Sequence, residues 1–252
     1  MTTGFERDND VNQRLQLAPG ETLKGYDRWS QSYDHEDNPL ITATSWVLDR
    51  MALGAADCNV LDLGCGTGRN AWRVLGEGAR SYTGVDGSHG MLSIATQQNR
   101  DPRVQFIHAD LLSPWKLEEQ VDLAMMVLVL EHLPTLDPIA RTLSHVVKTG
   151  GRLRIVDLHP ERVATGTLAH FRDGAHDVQF ASVAHNIPML CDVLDSAGFD
   201  VVRRDWLASD SLVTAVPQLA KYRGLKIVLD IKATRRATPA RGTAKQAAMG
   251  RE

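Results

Sequence analysis

The 252-residue chain holds only three cysteines, Cys58, Cys65 and Cys191, at spacings that suggest no pairing. That argues against a disulfide framework and a cysteine-built zinc site, and fits reduced thiols in a cytoplasmic protein. No run approaches the ~20 consecutive apolar residues of a membrane-spanning helix, and Met1 to Gln16 lacks the apolar core of a secretory signal. A dominant charge of one sign is also missing. With 28 basic and 31 acidic side chains the formal net charge is −3, so nothing draws the chain as a whole to nucleic acid or an anionic membrane. Internal repeats are absent. What the chain does have is apolar content: 43% of it is hydrophobic, enough for the core of one large α/β domain.

The organising stretch is Val60-Leu61-Asp62-Leu63-Gly64-Cys65-Gly66-Thr67-Gly68. Val60, Leu61 and Leu63 suit a central parallel strand covered on both faces. Three glycines at alternate positions suit a sharp turn whose backbone approaches a ligand with no Cβ in the way. Arg69 to Leu75 then reads as the start of a helix. Such a unit aims free backbone N–H groups at whatever lies above the strand end. Asp86 closes the next strand, Tyr82 to Val85, where an acidic residue holds the two hydroxyls of a ribose. The dinucleotide fingerprint G-x-G-x-x-G would need its third glycine at Arg69. Gly68 comes one place early, which disfavours an NAD-dependent oxidoreductase and keeps it as an alternative.

Asp62, the glycines and Asp86 together resemble the class I S-adenosylmethionine (SAM) methyltransferases. The resemblance implies roles for particular residues. Asp62 helps hold the methionine amino group. Gly64, Cys65, Gly66 and Gly68 pass under the methionyl and sulfonium part. Gly87, Ser88 and Met91 line the adenine. Asp110, in an Ala-Asp pair after the strand Val104 to Ile107, accepts from the adenine amine, with Leu111 beside the ring. Val127, after the strand Val121 to Met126, passes beside the sulfonium. The segment Tyr26-Asp27-Arg28-Trp29-Ser30-Gln31-Ser32-Tyr33-Asp34 also resembles an N-terminal signature of small-molecule members, in which Tyr33 closes over the methionyl group as part of a lid. Tyr26, Trp29 and Tyr33 fall on one helical face.

The rest of the chain alternates helix and strand, so right-handed crossovers predict a doubly wound sheet. Asn38-Pro39 marks a helix start. Asp137-Pro138 marks another, with Lys148 and Gly150-Gly151 closing it, and Leu153 to Leu158 is the fifth strand. Phe199 to Leu207 and Leu225 to Ile231 match the family's last, antiparallel pair. The expected fold is a seven-stranded, mostly parallel, Rossmann-like sheet. A flexible leader (1–20) precedes the catalytic domain (21–233), which has an N-terminal helical lid (21–53) and a two-stranded flap inserted after the fifth strand (159–186). A flexible basic tail (234–252) follows.

Ligands in such sheets bind beyond the carboxyl ends of the strands. Asp62, Asp86, Asp110, Val127 and Asp157 to His159 are therefore expected around one crevice. Methyl transfer needs alignment and exclusion of water, plus a base where the acceptor loses a proton. His159 is the first candidate base, followed by His185, His170 and Tyr33. Glu131-His132 is a tempting pair in a segment that is often structural in the family. No Asn/Asp-Pro-Pro-aromatic motif follows the fourth strand, which disfavours methylation of nucleic-acid bases, and no metal is expected. The expected partner is a small organic acceptor, aromatic or a natural-product intermediate, methylated on C, N or O, with a homo-oligomer left open. A SAM-binding regulator without catalysis is the second alternative.

Overall fold

The computed structural model describes residues 13–18, 20–174 and 176–237. In chain order the elements are β1 (Gln13–Gln16), α1 (Thr22–Trp29), α2 (Pro39–Arg50), β2 (Asn59–Leu63), α3 (Ala71–Gly76), β3 (Ser81–Asp86), α4 (His89–Gln98), β4 (Val104–His108) and β5 (Val121–Val127). They continue with α5 (Asp137–Val146), β6 (Val147–Leu158), α6 (Pro160–Ala164), β7 (His170–Asp173), β8 (His176–Gln179), α7 (Ile187–Ser196), β9 (Phe199–Leu207), α8 (Asp210–Ala215) and β10 (Lys226–Arg235). A seven-stranded sheet runs β4-β3-β2-β5-β6-β10-β9, and only β10 is antiparallel to its neighbours. The strand order reverses between β2 and β5, so their carboxyl ends flank the crevice where such sheets take ligands.

The central strands are buried because both faces are covered. Val60, Tyr82, Leu123 and Met125 pack toward α2 and the α8 side, and Leu61, Val85, Ala124 and Met126 toward α5 and α7. Helix starts follow local chemistry. The side chains of Asn38, Ser88 and Asn186 accept backbone N–H groups in the first turns of α2, α4 and α7. The turn expected at Lys148 to Gly151 is absorbed into β6. The chain passes straight from α5 into the strand, and the register with β5 slips between Val121↔Val147 and Leu123↔Arg152, where Gly150 takes φ +74°.

Two boundaries differ from the sequence reading. Residues 13–16, assigned to a flexible leader, form β1, which pairs in parallel with β8 and extends the flap hairpin β7–β8 into three strands. The physical reason is Leu17, buried with Trp29, Phe171, Val178 and Phe180 in a small core shared by lid and flap. The tail assigned to 234–252 begins later, because Thr234 and Arg235 still pair with β9. Residues 1–12 and 238–252 lie outside the described part.

Candidate active site

The glycine loop divides its labour. Gly64, Gly66 and Gly68 all have positive φ (+73°, +55° and +70°), a region costly for residues with a Cβ. A Cβ on Gly64 would stand 2.5 Å from Val129 Cγ2, and one on Gly68 2.8 Å from Phe106 Cζ. These two glycines serve packing. A Cβ on Gly66 would meet nothing within 4 Å and would project into open space. The Gly66 N–H donates to Asp86 Oδ2 and the Ser88 N–H to Asp86 Oδ1, each at 2.8 Å. Burial raises the Asp86 pKa, opposed by those backbone donors.

A cavity of about 540 Å³ opens over this loop. Tyr33, Gly64, Cys65, Gly66, Asp86, Gly87, Met91, Asp110, Leu111 and Val127 all line it, as the sequence expected of cofactor contacts. Asp62 and Gly68 do not line it. Asp62 is fully buried behind the loop, where the Tyr82 hydroxyl donates to its Oδ2 at 2.7 Å while Oδ1 has no partner. Burial raises its pKa to about 6, against the lowering effect of that hydroxyl. Sequence reasoning missed Arg69 as a lining residue, although it directly follows Gly68. It also missed that Ala181, Ser182 and Val183, just beyond the hairpin β7–β8, line this cavity.

The lid follows from the two Tyr-Asp pairs. Asp27 Oδ1 accepts from Ser88 Oγ at 2.7 Å and from the Gly90 N–H at 2.8 Å, so it ties α1 to the start of α4. Asp34 Oδ1 accepts from the Thr67 hydroxyl at 2.9 Å, which ties the segment after α1 to the glycine loop. The tyrosines face inward, with the Tyr26 hydroxyl 2.7 Å from His132 Nε2. Trp29 stacks on Phe171 and Tyr26 packs on Phe180, so lid and flap form one aromatic wall. An Arg28–Asp173 ion pair joins them at the surface.

A second cavity of about 490 Å³ lies between lid and flap. Tyr26, Tyr33 and Leu128 line both cavities. Glu131 lines only the second one, and its Oε2 is buried without a partner. Burial raises the Glu131 pKa to about 7. Burial also lowers the His132 pKa to about 4, which leaves that imidazole neutral. The turn carrying these groups is strained: Leu128 has φ +59°, a conformation costing about 1–3 kcal/mol. Asp157 holds it in place, its Oδ2 accepting from the N–H groups of Val129 (2.7 Å) and Leu130 (2.9 Å).

Asp157 and His159 were expected at the crevice, and neither lines either cavity. Asp157 is consumed by the strained turn. His159 is fully buried and caps α6, its Nδ1 accepting from the Glu161 N–H at 3.2 Å, while its Nε2 sits 3.5 Å from Asp205 Oδ1. His185 also lines neither cavity, because its Nε2 lies 2.9 Å from the Leu130 carbonyl. His170 lines the second cavity, with Nδ1 3.1 Å from the Leu168 carbonyl. Of the four candidate bases, only His170 and Tyr33 line a cavity.

Comparison with known proteins bears on the same residues. A methyltransferase-domain family model matches residues 60–151. An uncharacterized methyltransferase of Emericella nidulans is 27% identical over 238 residues, covering 79% of this chain and 82% of the relative. These likenesses support a class I SAM-dependent methyltransferase. A ubiquinone biosynthesis O-methyltransferase of Pseudomonas putida is 32% identical over 147 residues, 56% of this chain, and the chain spans 61% of that enzyme. The solved SAM-dependent methyltransferase of Mesorhizobium loti shares the fold, with a TM-score of 0.66 at 22% identity, over 78% of this chain and all of that one. Among the described residues no helix is long and apolar enough to cross a membrane.

Proposed function

We propose that this methyltransferase binds SAM in the cavity over the glycine loop and methylates a small organic acceptor seated between lid and flap. The observation that carries the reading is the pair of cavities meeting at Tyr26, Tyr33 and Leu128. The residues fit the cofactor: Gly66 leaves room where a Cβ would intrude, and Asp86 lines the cavity at the tip of β3. With SAM bound, Gly87 and Met91 would flank the adenine, Asp110 would accept from its amine, and Tyr33 would cover the methionyl end. When bound, SAM supplies a methyl group activated by its sulfonium.

The chain's own contribution is alignment, exclusion of water by the lid and flap, and removal of the acceptor's proton. Glu131 takes the base role first assigned to His159, because it lines the second cavity and its Oε2 is buried without a partner. Aromatic rings from Tyr26, Trp29, Tyr33, Phe171 and Tyr222 line that cavity and suit a flat acceptor. The relative from P. putida is named an O-methyltransferase, which favours a hydroxyl oxygen as the accepting atom. The catalytic domain runs from β1 to the end of β10, with its lid at 21–53 and flap at 159–186, and the three free thiols suit the cytoplasm. Titration calorimetry with S-adenosylhomocysteine and with NADH tests the cofactor: binding of the first and no heat from the second is expected, and the reverse restores the oxidoreductase. Release of S-adenosylhomocysteine from SAM across a set of uncharged phenols tests catalysis. No turnover with any of them favours a regulator.

A further inference from the structure

The seven-stranded sheet ends on β9, and the described residues place no strand against its outer edge. An edge strand is a template for pairing with another chain, and folds blunt such edges by keeping them short or breaking them with proline. β9 is neither short nor broken: it runs nine residues, Phe199–Leu207, without proline or glycine. Val202 in its middle is 69% exposed. No residue of β9 lines either cavity, so a partner on this edge leaves both open.

The charges along the strand select the partner. Asp200, Val202 and Arg204 share one face, because side chains alternate along a strand, and all three are exposed. Asp200 meets Arg236 at 3.1 Å, while Arg236 has a closer partner in Asp195 at 2.6 Å. Arg204 forms no ion pair among the described residues. Its guanidinium stands 5.3 Å from the Trp206 ring centroid and its Nη1 3.7 Å from Met51 Sδ. Lys232, opposite Val202 on β10, is exposed too. Burial and the charges of Arg154 and Arg204 lower its pKa, against the pull of Asp230. This face is therefore short of negative charge, and a second copy of the chain can supply it. Directly opposed residues in an antiparallel ladder have the same orientation, so a two-fold axis relating two β9 strands passes beside a single residue. An axis beside Arg203, Arg204 or Asp205 sets like charges face to face, and one beside Val201 forms no ion pair. With the axis beside Val202 the two valines meet, and Asp200 of each copy opposes Arg204 of the other.

We propose that the outer edge of β9 is a self-association surface, on which a second copy of this chain adds its own β9 antiparallel about Val202. The test is sedimentation velocity on the full chain across a concentration series, and it is independent of the cofactor reading. Wild type should show a monomer–dimer equilibrium. Asp200→Arg and Arg204→Asp each put like charges at both contacts, and each alone should weaken dimerisation by about tenfold or more. An equimolar mixture of these two variants restores both pairs across the interface and should dimerise within about threefold of wild type. Val202→Lys alters an exposed position and neither ion pair, and should also weaken the dimer by about tenfold, since like charges then meet on the axis. That variant decides the matter if a charge variant does not fold. A wild type that stays monomeric throughout the series overturns the proposal. Folded variants that dimerise as wild type does overturn it too, as does a mixture no stronger than its components.

Discussion

Replacing Glu131 by glutamine should make the protein more stable and less active, with the stability gain set by pH. Glu131 is 4% exposed, and burial moves its pKa from 4.5 to about 7. The folded form thus holds a proton that the unfolded chain releases between those two values. A raised carboxylate pKa contributes stability below pH 4.5, and that contribution is lost as pH rises toward 7. The shift of about 2.5 units corresponds to a penalty on the order of 3 kcal/mol above pH 7. Glutamine keeps the shape and cannot ionise, so Glu131→Gln should gain about 3 kcal/mol at pH 8 and about 1 kcal/mol at pH 5. For a domain of this size the pH 8 gain means roughly 6–12 °C in Tm. Thermal unfolding of both proteins at the two pH values measures it. Turnover should fall by about 10²–10⁴ if the carboxylate takes the acceptor's proton, and the wild-type rate should rise through pH 7. A Tm difference that is the same at pH 5 and pH 8 would refute the burial argument. A wild-type rate flat across pH 7 would refute the base.

Asp86→Ala should weaken S-adenosylhomocysteine binding by about 1.5–3 kcal/mol in calorimetry, the range for hydrogen bonds to a charged group; unchanged affinity removes Asp86 from the site. Gly66→Val should abolish binding, because it puts a β-branched side chain at φ +55° pointing into the cavity; a variant that binds normally would mean the cofactor lies elsewhere. His159→Ala should lower stability by about 1–2 kcal/mol through loss of the α6 cap while kcat stays near wild type. A hundredfold fall in kcat at unchanged Tm would return His159 to the base role.

The sheet was legible because its signals are local. The apolar run Val60 to Leu63, the alternate glycines and Asp86 each act over a few residues, and the structure puts them where the pattern implies. The same holds for caps such as Asn38 and Ser88. What was not legible depends on long-range packing. His159 follows the fifth strand directly, as a crevice residue would, yet its ring turns toward Asp205 on β9, 46 positions further along the chain. β1 has a single buried neighbour, Leu17, to show that it pairs with a hairpin some 160 residues away. Glu131 looks like an ordinary segment of a recurrent Glu-His-Leu-Pro stretch. Only the strain at Leu128, fixed by Asp157, shows how it comes to face a cavity.

This distribution also explains why the relatives inform the chemistry and leave the acceptor open. The family match covers residues 60–151 and contains the glycine loop, Asp86, Arg69 and Glu131. The cavity proposed for the acceptor is walled mainly by residues 26–40, 167–172 and 218–222, all outside that span, with Leu128 and Glu131 as its contribution from within. The lid is anchored to the matched region through carboxylates, Asp27 on Ser88 and Asp34 on Thr67, and joined to the flap through aromatic rings. Lid and flap sequences can therefore change the shape of the acceptor cavity while the anchoring carboxylates keep the cofactor side in register. On the proposed reading, acceptor choice depends on the small core of Leu17, Trp29, Phe171, Val178 and Phe180 and the surfaces it supports, the part of the chain where a likeness in the sheet carries least information.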